Sequence, residues 1–167
     1  DKYNRVKGIV VENREHPMVT KQREMCREAE QLARSNDIIQ AAERAKVLLN
    51  QWKEIRLPPR IGDKMVAERF RSACDKIFEL SYLARVISRK YPAFEIRTEE
   101  DQLAIKTREM EWLIKREKAD LDVTIASAQN MPADPEAERQ MMGKINIQRR
   151  KITMKEKILE EFKSKMK

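Results

Sequence analysis

The sequence has little that bends or breaks a chain. Three glycines and six prolines in 167 residues leave few breakpoints, which favours long helices. Aromatics make up only 5% of the residues, while charged side chains reach 38%. A compact globule usually carries about 25% charged residues, so this composition suits long solvated helices better than a thick core. No stretch has the roughly 18 consecutive apolar residues of a membrane span. Cys26 and Cys74 are the only cysteines. Two thiols do not make a disulfide framework, and both read as reduced core thiols of a cytoplasmic protein.

The same scarcity removes most catalytic chemistry. His16 is the only histidine, and nothing in the spacing brings it beside Cys26 or Cys74 as a nucleophile–base pair. One histidine and two distant cysteines cannot supply a zinc site, which takes four protein ligands or three plus water. There is no Gly-rich phosphate loop, and no Glu-x-x-His pair of the kind found in di-metal carboxylate bundles. The acidic runs "TEED" and "LEE" read as helix-start charges and a solvated face. The expectation is a protein that is not an enzyme, with no catalytic residue, cofactor, metal or small-molecule substrate.

What is present is helical periodicity. Residues 1–17 form a linker or the end of a preceding element; "KGIVVEN" fits a short strand or an incoming helix, and Pro17 suits a first helical turn. Residue 1 is Asp, which suggests a fragment or a processed chain. The first helix is expected from about Met18 to Arg34, with Met18, Met25, Ala29 and Leu32 on one face. Asp37 caps a second helix, reaching about Arg56, whose stripe is Ile38, Ala42, Ala45, Leu49 and Trp52. A third runs from near Asp63 to Tyr91, its stripe from Val66 to Tyr91 stepping by 4 and 3. Thr98 and Asp101 open a fourth helix that reaches Gln129, with Leu103, Met110, Ile114, Leu121, Ile125 and Ala128 along its seam. "NMPADP" is a turn: Asp134 caps a fifth helix and Pro135 sits in its first turn. Along that helix Met141, Ile145, Ile152, Leu159, Phe162 and Met166 recur at 4, 7, 7, 3 and 4.

Two long helices joined by so short a turn lie antiparallel, and their seams bury each other as in a coiled coil. The expected fold is therefore all-α: a small three-helix bundle over 18–97, then a long antiparallel helical hairpin over 98–167. Between the second and third helices, "LPPR" turns the chain sharply, because consecutive prolines hold it extended. Trp52 and Phe70 flank that turn and are expected to meet across it.

Those residues also carry a resemblance. "WKEI…PPR" followed by "ERFRSACDKIF" resembles the bacterial helical repeat known as domain of unknown function three-forty-nine. Its pattern is a Trp-Lys-x-Ile-Gly-x-x-Pro-Arg turn followed by an Arg-Phe-Arg-x-x-x-Asp-x-Phe-Phe helix. Trp52, Lys53, Ile55, Pro59, Arg60, Arg69, Phe70, Arg71, Asp75 and Phe78 match it, with Trp52, Pro59, Phe70 and Phe78 as its structural core. Arg56, Ala67 and Ile77 depart from it, so the turn is expected to be less tight and Ala67 to be packed from elsewhere. The resemblance spans roughly Met18 to Lys167. It implies a bacterial, helical protein of more than one repeat and brings no established chemistry.

Two surfaces remain as candidate partner sites. Lys53, Arg60, Arg69 and Arg71 form a basic rim beside the turn; the alternative is that Arg60, Arg69 and Asp75 bond to each other or to helix-end carbonyls. The fifth helix is the second. Residues 144–167 carry nine Lys/Arg against three Glu, a balance of +6 of the net +8, so residues 1–143 hold only +2. Arg149, Arg150, Lys151 and Lys155 stand out on its expected exposed surface. A basic stripe is the footprint of nucleic-acid binding. No aromatic interleaves these cations for base stacking, Trp112 lying on the other helix, and such runs are often only solvated. The leading expectation is a helical scaffold module of a larger protein that holds protein partners. The alternative is an RNA- or ribosome-associated factor using the basic hairpin and the rim. A homodimer stays open, since seams on long helices pair between chains as readily as within one; a membrane surface does not fit, because the apolar seam is needed for the partner helix.

Overall fold

The computed structural model describes residues 15–167; the "KGIVVEN" segment lies outside them. The described residues are all-helical: α1 (Pro17–Leu32), α2 (Ile38–Glu54), α3 (Lys64–Lys90), a short 3-10 turn (Phe94–Ile96), α4 (Glu99–Gln129) and α5 (Pro135–Lys165), with no strand among them. None of these helices is long and apolar enough to cross a membrane.

The helix ends are set by local chemistry. His16 caps α1, its Nδ1 accepting from the Met18 amide at 3.1 Å, so the single histidine has a structural role. Asp37, Thr98 and Asp134 accept from the amides of Gln40, Asp101 and Glu136, satisfying first-turn donors that lack a partner within the helix. Asp63 accepts from Met65 and Val66 at the start of α3. The sharp turn before it places Arg60 in the left-handed region at φ 68°, whereas Gly62 keeps negative φ.

Contacts divide the chain into two units, Asp1–Cys74 and Asp75–Lys167. The division falls inside α3. In the first unit α1 and α2 pack together through Val19, Met25, Cys26 and Ala29 on one side and Ala41, Ala42, Ala45 and Leu48 on the other. Alanines let the helices approach closely. Burial pushes the Cys26 thiol above its ordinary pKa. Trp52 and Phe70 stack with ring centroids 4.2 Å apart and planes at 8°, the meeting expected across the double proline. Arg69 bonds Glu30, and Arg23 bonds both Glu15 and Asp63, tying α1 to the start of α3.

In the second unit, one core collects Leu83, Val86 and Ile87 of α3, Ile105, Met110, Leu113 and Ile114 of α4, and Met154, Ile158 and Phe162 of α5. Thr107 meets Met166 and Glu117 meets Lys155, so α4 and α5 run in opposite directions. The first half of α4 faces two neighbours. That is why Ile105 and Leu113, off the expected seam, are buried while Leu121 and Ile125 are only half-buried. Tyr91 and Phe94 pack against the same core, and the Gln102 amide nitrogen donates to the carbonyls of Phe94, Glu95 and Arg97, closing the short turn over the start of α4.

Candidate functional site: a charged cleft and an aromatic row

The basic rim of the first unit is dispersed in role. Lys53, Arg60 and Arg71 are exposed, while Arg69 is engaged with Glu30 at 2.7 and 3.1 Å. Pro59 is exposed in the turn and Phe70 is buried.

The α5 cations separate into two groups. Arg149 and Lys151 are exposed, and Arg150 reaches Asp75 at 3.0 Å. Lys155 corrects the sequence reading. Expected on the exposed surface, it is only 4% exposed. Its Nζ lies 2.5 Å from Glu79 of α3 and 3.1 Å from Glu117 of α4, and 5.9 Å from the Tyr82 ring centre. The reason is its place on the helix: Lys155 falls three residues after Ile152 and four before Leu159, on the apolar seam itself. Gln148 occupies the equivalent position seven residues earlier, and its Oε1 is buried with no hydrogen-bond partner among the described residues.

This lysine forms the floor of a cleft of about 370 Å³. Phe78, Tyr82 and Leu113 give it apolar walls. Arg116, Glu117, Asp120 and Lys151 give it a mixed-charge mouth. Phe78, expected as motif core, is half-buried here. Glu79 and Glu117 share the single cation of Lys155. No group of this set is poised as a nucleophile beside a base, and no cluster of His, Cys, Asp or Glu among the described residues is arranged to hold a metal.

A row of aromatic side chains leads away from the cleft. Arg116 stands over the Trp112 ring at 5.4 Å, and Lys90 of α3 stands over the same ring at 4.8 Å. Lys90 bonds Glu109, and Glu109 also accepts from the Tyr91 hydroxyl, both at 2.9 Å. Arg108 donates to that hydroxyl at 3.0 Å, and Arg97 and Arg108 both approach the Tyr91 ring. Burial pushes the Glu109 carboxyl up, but the hydrogen bonds from Lys90 and Tyr91 outweigh it, and the group is held below its ordinary range.

Sequence reasoning missed Glu79, Tyr82, Trp112, Arg116 and Glu117. Two signals were available. Arg108, Trp112 and Arg116 recur every four residues, which places them on one helix face. The two seven-residue gaps in the α5 stripe mark Gln148 and Lys155 as seam positions.

Comparison with known proteins finds no matching family model, no matching curated protein and no matching solved structure.

Proposed function

We propose that this chain is a non-catalytic helical interaction module that holds protein partners. In this reading it is the three-helix repeat (18–97) and antiparallel coiled-coil hairpin (98–167) of a larger, multi-repeat, cytoplasmic bacterial protein. The observation that carries it is a set of large apolar side chains left in water on α4 and α5: Val123, Met142 and Ile147. Side chains of this type contribute to protein interfaces once desolvated. The ion pairs support the non-catalytic part. Lys155 with Glu79 and Glu117, and Arg150 with Asp75, join helix to helix instead of converging on a place where a reacting atom could sit.

The alternative, RNA or ribosome association through the basic α5 surface and the turn rim, keeps Arg149, Lys151, Lys53, Arg60 and Arg71 as exposed cations. It loses Lys155 to the core. The test is cross-linking mass spectrometry in cells producing equal parts of isotopically light and heavy chain. Cross-links from Lys144 and Lys151 to one other protein, lost in Val123→Glu and Ile147→Glu, support the module. Mixed light–heavy links identify a homodimer as the partner. Links confined to single chains reject the reading.

A further inference from the structure

We propose that the face running from Tyr91 through Trp112 to the Tyr82 cleft is a binding site for single-stranded nucleic acid, with the cleft accepting one base. The surface is continuous by direct contact. Tyr91 and Lys90 share Glu109, Lys90 and Arg116 share the Trp112 ring, and Arg116 lines the cleft with Tyr82.

The chain holds two Trp and three Tyr. Trp52 is engaged in the stack on Phe70, and Tyr3 lies outside the described residues. The other three all sit on this row. Trp112 is 47% exposed and Tyr82 42%, so their rings are open to a ligand, while Tyr91, half-buried against the core, bounds the row. Each is accompanied by cations: Arg97 and Arg108 at Tyr91, Lys90 and Arg116 at Trp112, Lys151 and Arg116 at the cleft. Aromatic faces interleaved with Lys and Arg are the arrangement that holds single strands, bases stacking on rings while cations meet phosphates. Tyr82 on α3 and Tyr91, one residue past the end of that helix, are about 13 Å apart along its axis.

The cation–π contacts at Trp112 are individually weak at an exposed site. Stacking a base is stronger, so Arg116, which has no ion pair among the described residues, can swing from the ring to a phosphate as a base takes its place, while Lys90 stays beside the ring bonded to Glu109. A single strand uses both the rings and the cations, whereas an acidic peptide would use the cations alone, which favours nucleic acid over an acidic protein. The cleft adds selectivity. Its mouth carries Asp120, which has no ion-pair partner among the described residues, beside Glu117. Carboxylates accept from exocyclic amino groups, as with the cytosine N4 amine. Uracil has no such group. Cytosine is therefore preferred over uracil. The aromatic row lies on α3 and α4, apart from the apolar side chains invoked above; its cleft meets the basic α5 surface only at Lys151.

The experiment is fluorescence anisotropy with the full 167-residue chain and fluorescein-labelled twelve-nucleotide RNAs, all-C and all-U. Oligo(C) should bind several-fold more tightly than oligo(U). If three phosphates are met, affinity should fall about twentyfold between roughly 50 and 200 mM salt. Trp112→Ala should weaken oligo(C) binding about tenfold or more, as loss of one stacked base does, and Trp112→Phe should restore most of it. Asp120→Ala should shrink the C-over-U preference while leaving oligo(U) affinity in place. Unchanged thermal melts of these surface variants keep folding out of the comparison. No oligo(C) binding at low salt, oligo(C) binding that Trp112→Ala leaves intact, or equal binding of a polyglutamate of the same charge would each overturn the assignment.

Discussion

Replacing Lys155 with methionine should destabilise the second unit far more than its chemistry on a solvated helix would. Methionine keeps the length and most of the volume of the lysine stem, so packing around Ile152 and Leu159 is largely preserved. What goes is the single cation between Glu79 and Glu117, whose side chains are 10% and 21% exposed. Removing one partner of a buried ion pair typically costs about 3–5 kcal/mol, because the charges left behind have lost both water and partner. For a chain of this size each kcal/mol shifts the melting midpoint by about 2–4 °C, so Lys155→Met should lower it by roughly 6–20 °C. The assay is thermal unfolding by circular dichroism at neutral pH. A triple variant, Glu79→Met with Lys155→Met and Glu117→Gln, should recover most of the loss, since apolar replacement of a whole buried ionic group is often neutral or stabilising. A single variant melting within about 2 °C of the parent, or a triple variant no better than the single, would refute the claim that this lysine is a desolvated tie between three helices.

Phe70→Ala should cost about 3–5 kcal/mol, read by urea unfolding, because Phe70 is buried and stacked on Trp52. Ala93 holds φ 58° after α3, a region that costs a residue with a Cβ about 1–2 kcal/mol; Ala93→Gly should raise stability by about 0.5–1 kcal/mol after glycine's own entropic cost. Glu109 has a depressed pKa in the fold, so its contribution is complete above its unfolded value near 4.5 and is lost as pH falls through the folded value. Acid unfolding curves should therefore show Glu109→Gln less stable than the parent at pH 7 and the gap closing as the pH falls through and below 4.5.

The helix ends were legible because they are written in single residues. Asp37, Thr98 and Asp134 have side chains that cap, Pro17 and Pro135 fit first turns, and the "LPPR" break leaves no choice. The Trp52–Phe70 stack was legible for a similar reason: two aromatics flank a turn that must bring its ends together. Burial was legible only where a helix has one neighbour. α4 meets α3 and α5 along its first half, and a one-seam reading cannot assign Ile105 or Leu113. Lys155 was hidden by composition. In a segment with nine Lys/Arg, one more lysine looks solvated, and only its position between Ile152 and Leu159 betrays it. The aromatic row was legible only in the four-residue spacing of Arg108, Trp112 and Arg116, because it is assembled from two helices, Lys90 on one completing Trp112 on the other.

Lys155 also fixes how α5 can slide. Its seam would look nearly the same after a shift of seven residues, since Ile145, Ile152 and Leu159 would simply exchange places. Such a slip would bring Gln148 or Phe162 opposite Glu79 and Glu117, stranding two carboxylates without a counter-ion. An otherwise repetitive helix thereby acquires one permitted alignment, a use of buried charge seen where polar seam residues select pairing. The same rule binds any second copy: an α5 donated by another chain fits this core only when its own Lys155 arrives at the same place.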